Sequence, residues 1–183
     1  SAAYELEAML HADLGNEAEY IAALHNLIAT HRETPQLQST AGRMLVVANG
    51  GILTHPRTFR QKLNIPTMDP SLALIDVASG RCLEQVRLPD HLLSIRHLAV
   101  MQDGSVAVGL QYEGDPLAAP SVAALYRPGG GLRLLPAPES ATLQFRGYVA
   151  SIAASEPLGI IAAACPQGAG VARWNAATGE FID

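Results

Sequence analysis

Apolar positions along this chain follow two different periods. Leu6, Met9, Leu10 and Leu14 recur at helical spacing, and so do Tyr20, Ile21, Leu24, Leu27 and Ile28. Gly15 ends the first run and Asn16 caps the second, with Glu19 placed as its capping-box partner and Glu17 near the positive end of the helix dipole. His31 and Arg32 sit in the last turn, and Pro35 closes it. The pattern predicts two short amphipathic helices within residues 2–33. They pack face to face as an appendage over residues 1–38.

From Met44 onward the period is that of strands, and it repeats. Stretches 43–49, 105–111 and 158–164 are short, apolar and rich in small residues. Each is followed by a second such stretch, at 71–76, 121–126 and 170–175, and four residues further on by a glycine: Gly80, Gly130 and Gly179. A third strand comes next at 81–87 and 132–135, and a strand precedes the unit at 95–100 and 148–154. The turns Asp76-Val-Ala-Ser-Gly80 and Asn175-Ala-Ala-Thr-Gly179 suit tight hairpins, in which Asp or Asn bonds its own backbone and Gly supplies a positive φ. Antiparallel strands recurring about every 50 residues predict a mainly β fold. Its form is a partial β-propeller of about three blade-like meanders over residues 39–183, behind the helical hairpin. Three blades do not close a ring, which takes about four to eight. The first repeat also lacks its leading strand. Open blade edges of this kind favour self-association.

Composition agrees with many short strands. Of the 183 residues 49% are hydrophobic and only 16% charged, with 16 glycines and 12 prolines. The net charge of −5 comes with no basic run, so nucleic acid is not an expected partner. Cys82 and Cys165 lack metal-type spacing and read as two small buried apolar residues. No apolar run approaches the roughly 20 residues that span a bilayer. No secretory pattern opens the chain, so as given it reads as soluble.

Several longer motifs are distinctive: Leu45-Val-Val-Ala-Asn-Gly-Gly-Ile52, Thr54-His-Pro56, Lys62-Leu-Asn64, Met68-Asp-Pro-Ser-Leu72, Leu93-Ser-Ile-Arg-His-Leu98, Gln111-Tyr-Glu-Gly-Asp115 and Arg146-Gly-Tyr-Val149. With these the chain resembles, over about residues 40–183, the bacterial domain of unknown function 1513 family. Its members are propeller proteins exported by a twin-arginine signal and found beside imelysin-type iron-regulated proteins. The resemblance implies a periplasmic protein in an iron-uptake setting, with an imelysin-type protein as partner. It implies no reaction. The export signal and the flanking blades are absent from the sequence given, and residues 1–38 match nothing in the resemblance.

The densest polar stretch is the long segment after the first strand, with Asn49, Gly50, Gly51, Thr54, His55, Lys62 and Asn64. Gly50 and Gly51 allow close backbone approach, and His55 suits metal ligation or proton transfer. Alternatively, Asn49 and His55 only hold a long loop in shape. Arg96 and His97 lie on a leading strand, where Arg suits a carboxylate or phosphate and His a metal. Either also fits as a residue satisfied between blades. Tyr112, Glu113 and Asp115 end a strand of the next repeat, where paired carboxylates suit Ca²⁺ or form a solvated acidic loop. Trp174 reads as core.

The chain has no G-x-S-x-G, H-E-x-x-H, P-loop or C-x-x-C motif. Together with what the resemblance implies, the expected function is a non-catalytic ligand-binding or scaffold propeller of an exported iron-acquisition system, binding a small anionic or metal-complex ligand, with iron or calcium as the candidate ion. The alternative is a lactonase-like hydrolase in which Asn49, Asn64, His97 and a carboxylate such as Asp115 converge on one Ca²⁺.

Overall fold

The structure is a computed structural model that describes residues 44–54, 57, 61–118 and 120–183. The helices expected over residues 2–33, the appendage boundary at 38 and His55 lie outside the described residues.

Strands form where the β-period was read. Met44–Asn49 (β1), Ser71–Asp76 (β2) and Cys82–Val86 (β3) make one antiparallel sheet. Leu93–Val100 (β4), Val106–Tyr112 (β5), Ala123–Arg127 (β6) and Gly131–Leu134 (β7) make a second. Ser151–Ser155 (β8), Ile160–Cys165 (β9) and Gly170–Asn175 (β10) make a third. In every sheet, sequence neighbours are spatial neighbours, so each is a simple meander. The first sheet begins at β1 among the described residues, and the stretch where its leading strand was found wanting lies outside them.

The hairpins close as the turn residues dictate. Gly80 N–H donates to Asp76 O at 2.8 Å and Gly179 N–H to Asn175 O at 2.8 Å, with both glycines at positive φ. The Asp76 carboxylate accepts from Ser79 N–H at 2.9 Å, and Asn175 Oδ1 accepts from Ala177 and Thr178 N–H at 2.9 Å each. The turn between β6 and β7 is one residue tighter. Gly130 N–H reaches Arg127 O at 2.9 Å, and the positive φ falls on Gly129 and Gly131 instead of Gly130.

Residues 136–147 carried no predicted element, yet Glu139–Phe145 forms a helix (α1). Pro136 and Pro138 read as loop, and seven residues are too few for a helical period to register. Burial makes it: Thr142 and Phe145, three apart, face inward. The chain then turns at Arg146 and Gly147, both at positive φ. β8 consequently starts later than expected, and Tyr148 makes only an isolated bridge to Gln111.

Each sheet packs on the first strand of the next. β1, the first described strand of its sheet, lies against β4, and β5, the second strand of its sheet, lies against β8. β4 and β8 also touch. One core runs through the stack. Val106, Val108, Leu110, Val122, Ile161 and Trp174 have no exposed surface. The Trp174 indole N–H donates to Pro136 O at 2.7 Å, and its ring meets Phe181 edge-on at 5.6 Å and Phe145 at 6.3 Å. Between the first two sheets, the buried Tyr126 hydroxyl donates to Glu84 Oε2 at 2.6 Å. Between the last two, Arg127 Nη2 donates to the carbonyls of Ala176 and Ala177 at 2.7 Å each. Cys165 is buried as expected. Cys82 is not: it sits exposed at the start of β3, which has no further strand beside it among the described residues.

Two predictions follow from this packing. Burial, reinforced by the Glu84 carboxylate, pushes the Tyr126 phenol from its ordinary 10 up to about 12. A raised acid stabilises the fold fully below pH 10 and loses that contribution as pH climbs through 12. Tyr126→Phe should lower stability in urea by about 1.5–3 kcal/mol at pH 8 and flatten the decline between pH 10 and 12. Burial also pushes the Cys165 thiol up to about 11. A disulfide-exchange reagent should therefore label Cys82 alone in the native chain, and both thiols only after unfolding.

Candidate functional site

The loop that follows β1 folds onto the middle sheet, and its own amides fix its course. Asn49 Oδ1 accepts from Gly51 N–H at 3.0 Å, while its Nδ2 donates to Ser71 Oγ at 3.3 Å. Asn64 spans the loop: its Oδ1 accepts from Leu53 N–H at 2.7 Å and its Nδ2 donates to Gly51 O at 2.9 Å. Gly51 is required twice over. Its φ is +69°, and a Cβ there would stand 2.5 Å from Pro70 N. At the exit, Arg87 grips Asp69 through two bonds of 2.6 and 2.8 Å, which hold that carboxyl below its usual range.

The loop then docks on β4. The buried Ser94 hydroxyl donates to Gly50 O at 2.7 Å, and a Cβ on Gly50 would lie 3.0 Å from Ser94 Oγ and 3.5 Å from Arg96 Nη1. At this point β4 bulges. Ile95 pairs with Leu110 and His97 with Gly109, leaving Arg96 as an extra residue without a partner in β5. A bulge bends the strand and re-aims the side chain it carries.

Arg96, Lys62 and Glu113 gather here. Lys62 Nζ forms an ion pair with Glu113 Oε2, and Arg96 Nη2 lies 3.7 Å from Glu113 Oε1. The Glu113 side chain is 5% exposed, and its Oε1 has no hydrogen-bond partner. Lys62 and Arg96 are about a third exposed, at 35% and 33%. The anion therefore lies beneath two cations.

Other predicted residues take separate roles. His97 follows Arg96 on β4. Burial first, and the Arg96 charge second, push its imidazole below its ordinary value. Tyr112 packs against Gly114, where a Cβ would stand 2.5 Å from its ring. Burial, then the carboxylates of Asp90 and Asp115, raise its phenol. Asp115 is exposed, and its Oδ1 accepts from Leu117 N–H at 2.9 Å. The oxygens of Asn49, Asn64 and Asp115 proposed for a shared Ca²⁺ thus each accept from a backbone N–H. Among the described residues no group of three or more His, Cys, Asp or Glu is placed to hold a metal ion.

Sequence reading named Lys62 and Glu113 but did not join them, because 51 residues separate the pair. It passed over Ser71 and Ser94, although a serine inside an apolar strand is a signal. Both are fully buried and hold this loop.

Fold and site together define a mainly β protein of stacked antiparallel meanders, with a polar loop laid across the middle sheet. The chain belongs to the family described as "Protein of unknown function (DUF1513)", whose sequence model matches residues 31–183. The match reaches somewhat further toward the N-terminus than the motifs indicated. No curated protein matches the sequence. Among 19 matching solved chains is one described as "Structure of U3-55K", with a TM-score of 0.52 and 15% identity. The likeness covers 79% of this chain but 36% of that one, so this chain spans little more than a third of its solved neighbour. At that identity the likeness concerns the fold alone.

The site generates a paired test. At an open position such as Gly129, alanine meets only the cost of positive φ, about 1–2 kcal/mol. Gly51→Ala adds a backbone clash worth about 1–3 kcal/mol more. Urea unfolding should rank Gly51→Ala clearly below Gly129→Ala.

Proposed function

We propose that the three sheets are consecutive blades of a β-propeller, and that the chain is a non-catalytic ligand-binding or scaffold module of an exported bacterial iron-acquisition system. The packing of each sheet on the first strand of the next, β1 on β4 and β5 on β8, supports the propeller. The periplasmic setting and an imelysin-type partner rest on the resemblance of the chain's motifs. The ligand is a small anion or metal complex, with iron favoured over calcium. One observation carries the binding reading: Asn49, Asn64 and Asp115 spend their oxygens on backbone N–H groups, while Arg96 stands out of the ladder at the loop. That arrangement suits recognition of a ligand.

The test is calorimetry of the chain with ferric and ferrous citrate, alongside an assay for lactone hydrolysis. Binding without turnover is expected, and His55→Ala should weaken it about tenfold, roughly the worth of one hydrogen bond to a charged group. Lactone turnover, or ferric binding indifferent to His55, would overturn the reading.

A further inference from the structure

We propose that Arg96 anchors a binding site for a small oxyanion, a carboxylate or phosphate group taken up where the β4 bulge meets the Gly50 backbone. This deepens the ligand-binding reading above and rests on it.

Arg96 is uncommitted. Its only contact with a charged group among the described residues is the 3.7 Å approach to Glu113, too long for a hydrogen bond. With the described residues its guanidinium makes no hydrogen bond, so its five N–H donors remain available. The bulge explains how a strand residue escapes its ladder, and the missing side chain at Gly50 lets the loop backbone lie against the guanidinium.

Glu113 fixes the sign of the ligand. Its carboxylate is buried, with Oε2 taken by Lys62 and Oε1 directed at Arg96 from beneath. It holds the guanidinium by charge without consuming a donor. Two cations stand a third exposed over one buried anion, so these three groups together carry one positive charge. A cationic ligand meets Arg96 and Lys62 first. An oxyanion meets a planar fork that matches two oxygens at once.

The experiment is titration of the whole chain at low salt with metal-free citrate and, separately, with inorganic phosphate, followed by calorimetry. Wild type should bind at least one of them with millimolar affinity or better. Preference for citrate assigns a carboxylate ligand, and preference for phosphate a phosphoryl group. Arg96→Ala should lose about tenfold or more in affinity while the chain still unfolds cooperatively, with a somewhat lower midpoint because Glu113 loses one of its two compensating cations. Arg96→Lys keeps the charge but not the fork and should recover only part of the affinity. Glu113→Gln removes the negative charge and should bind as well as wild type or better. Equal binding by wild type and Arg96→Ala, binding of neither anion by wild type, or loss in Glu113→Gln with Arg96→Ala unaffected would overturn the proposal. If it falls while ferric complexes still bind through His55, the function proposed above stands. If both bindings fail, both fall.

Discussion

Everything in this molecule depends on burying the middle sheet on both faces. Neighbouring sheets can approach that closely only if the side chains at the contact are small. β5 meets the condition: Val106, Ala107, Val108 and Leu110 have no exposed surface. A Cβ on Gly109 would stand 2.8 Å from Val149 Cγ1. Ala123 and Ala124 do the same on β6. Close packing of this kind supplies most of the dispersion and apolar burial in a small β domain, and it leaves little tolerance for a larger side chain. Gly109 also lies opposite the β4 bulge, so the residue that permits sheet stacking faces the irregularity that lifts Arg96.

That link sets the electrostatics of the loop. A carboxylate as buried as Glu113 is costly unless it is compensated, and one cation alone would leave its second oxygen exposed to the penalty. Lys62 and Arg96 approach it from two different elements, a loop and a strand. The loop therefore docks through charge as well as through the Ser94 hydroxyl. Its internal shape comes from Asn49 and Asn64, whose amides replace the ladder partners that a non-repetitive backbone lacks.

Strands and hairpins were legible because their causes are local. Alternation along 170–175 fixes that Ala172 and Trp174 face inward, and Asp76 or Asn175 with a glycine four residues on fixes the turn. Part of the candidate site was legible for the same reason: Gly50, Gly51, Asn49 and Asn64 mark a tight, self-bonded loop wherever they are read. Neither the exposure of Cys82 nor the helix Glu139–Phe145 was legible. A cysteine on a strand looks the same whether or not another strand lies beside it, and a two-turn helix follows from what Phe145 finds to pack against.

The sequence by itself determined the kind of element at each place, the meander order and the conformation of the turns, since propensity, periodicity and side-chain-to-backbone bonds act within a few residues. Only the tertiary structure decided that Arg96 leaves its ladder, that Glu113 is buried beneath it and that Lys62 arrives from 51 residues away. A bulge is a register difference between two strands, burial is a property of the stack, and an ion pair between distant residues exists only once the sheets have brought them together.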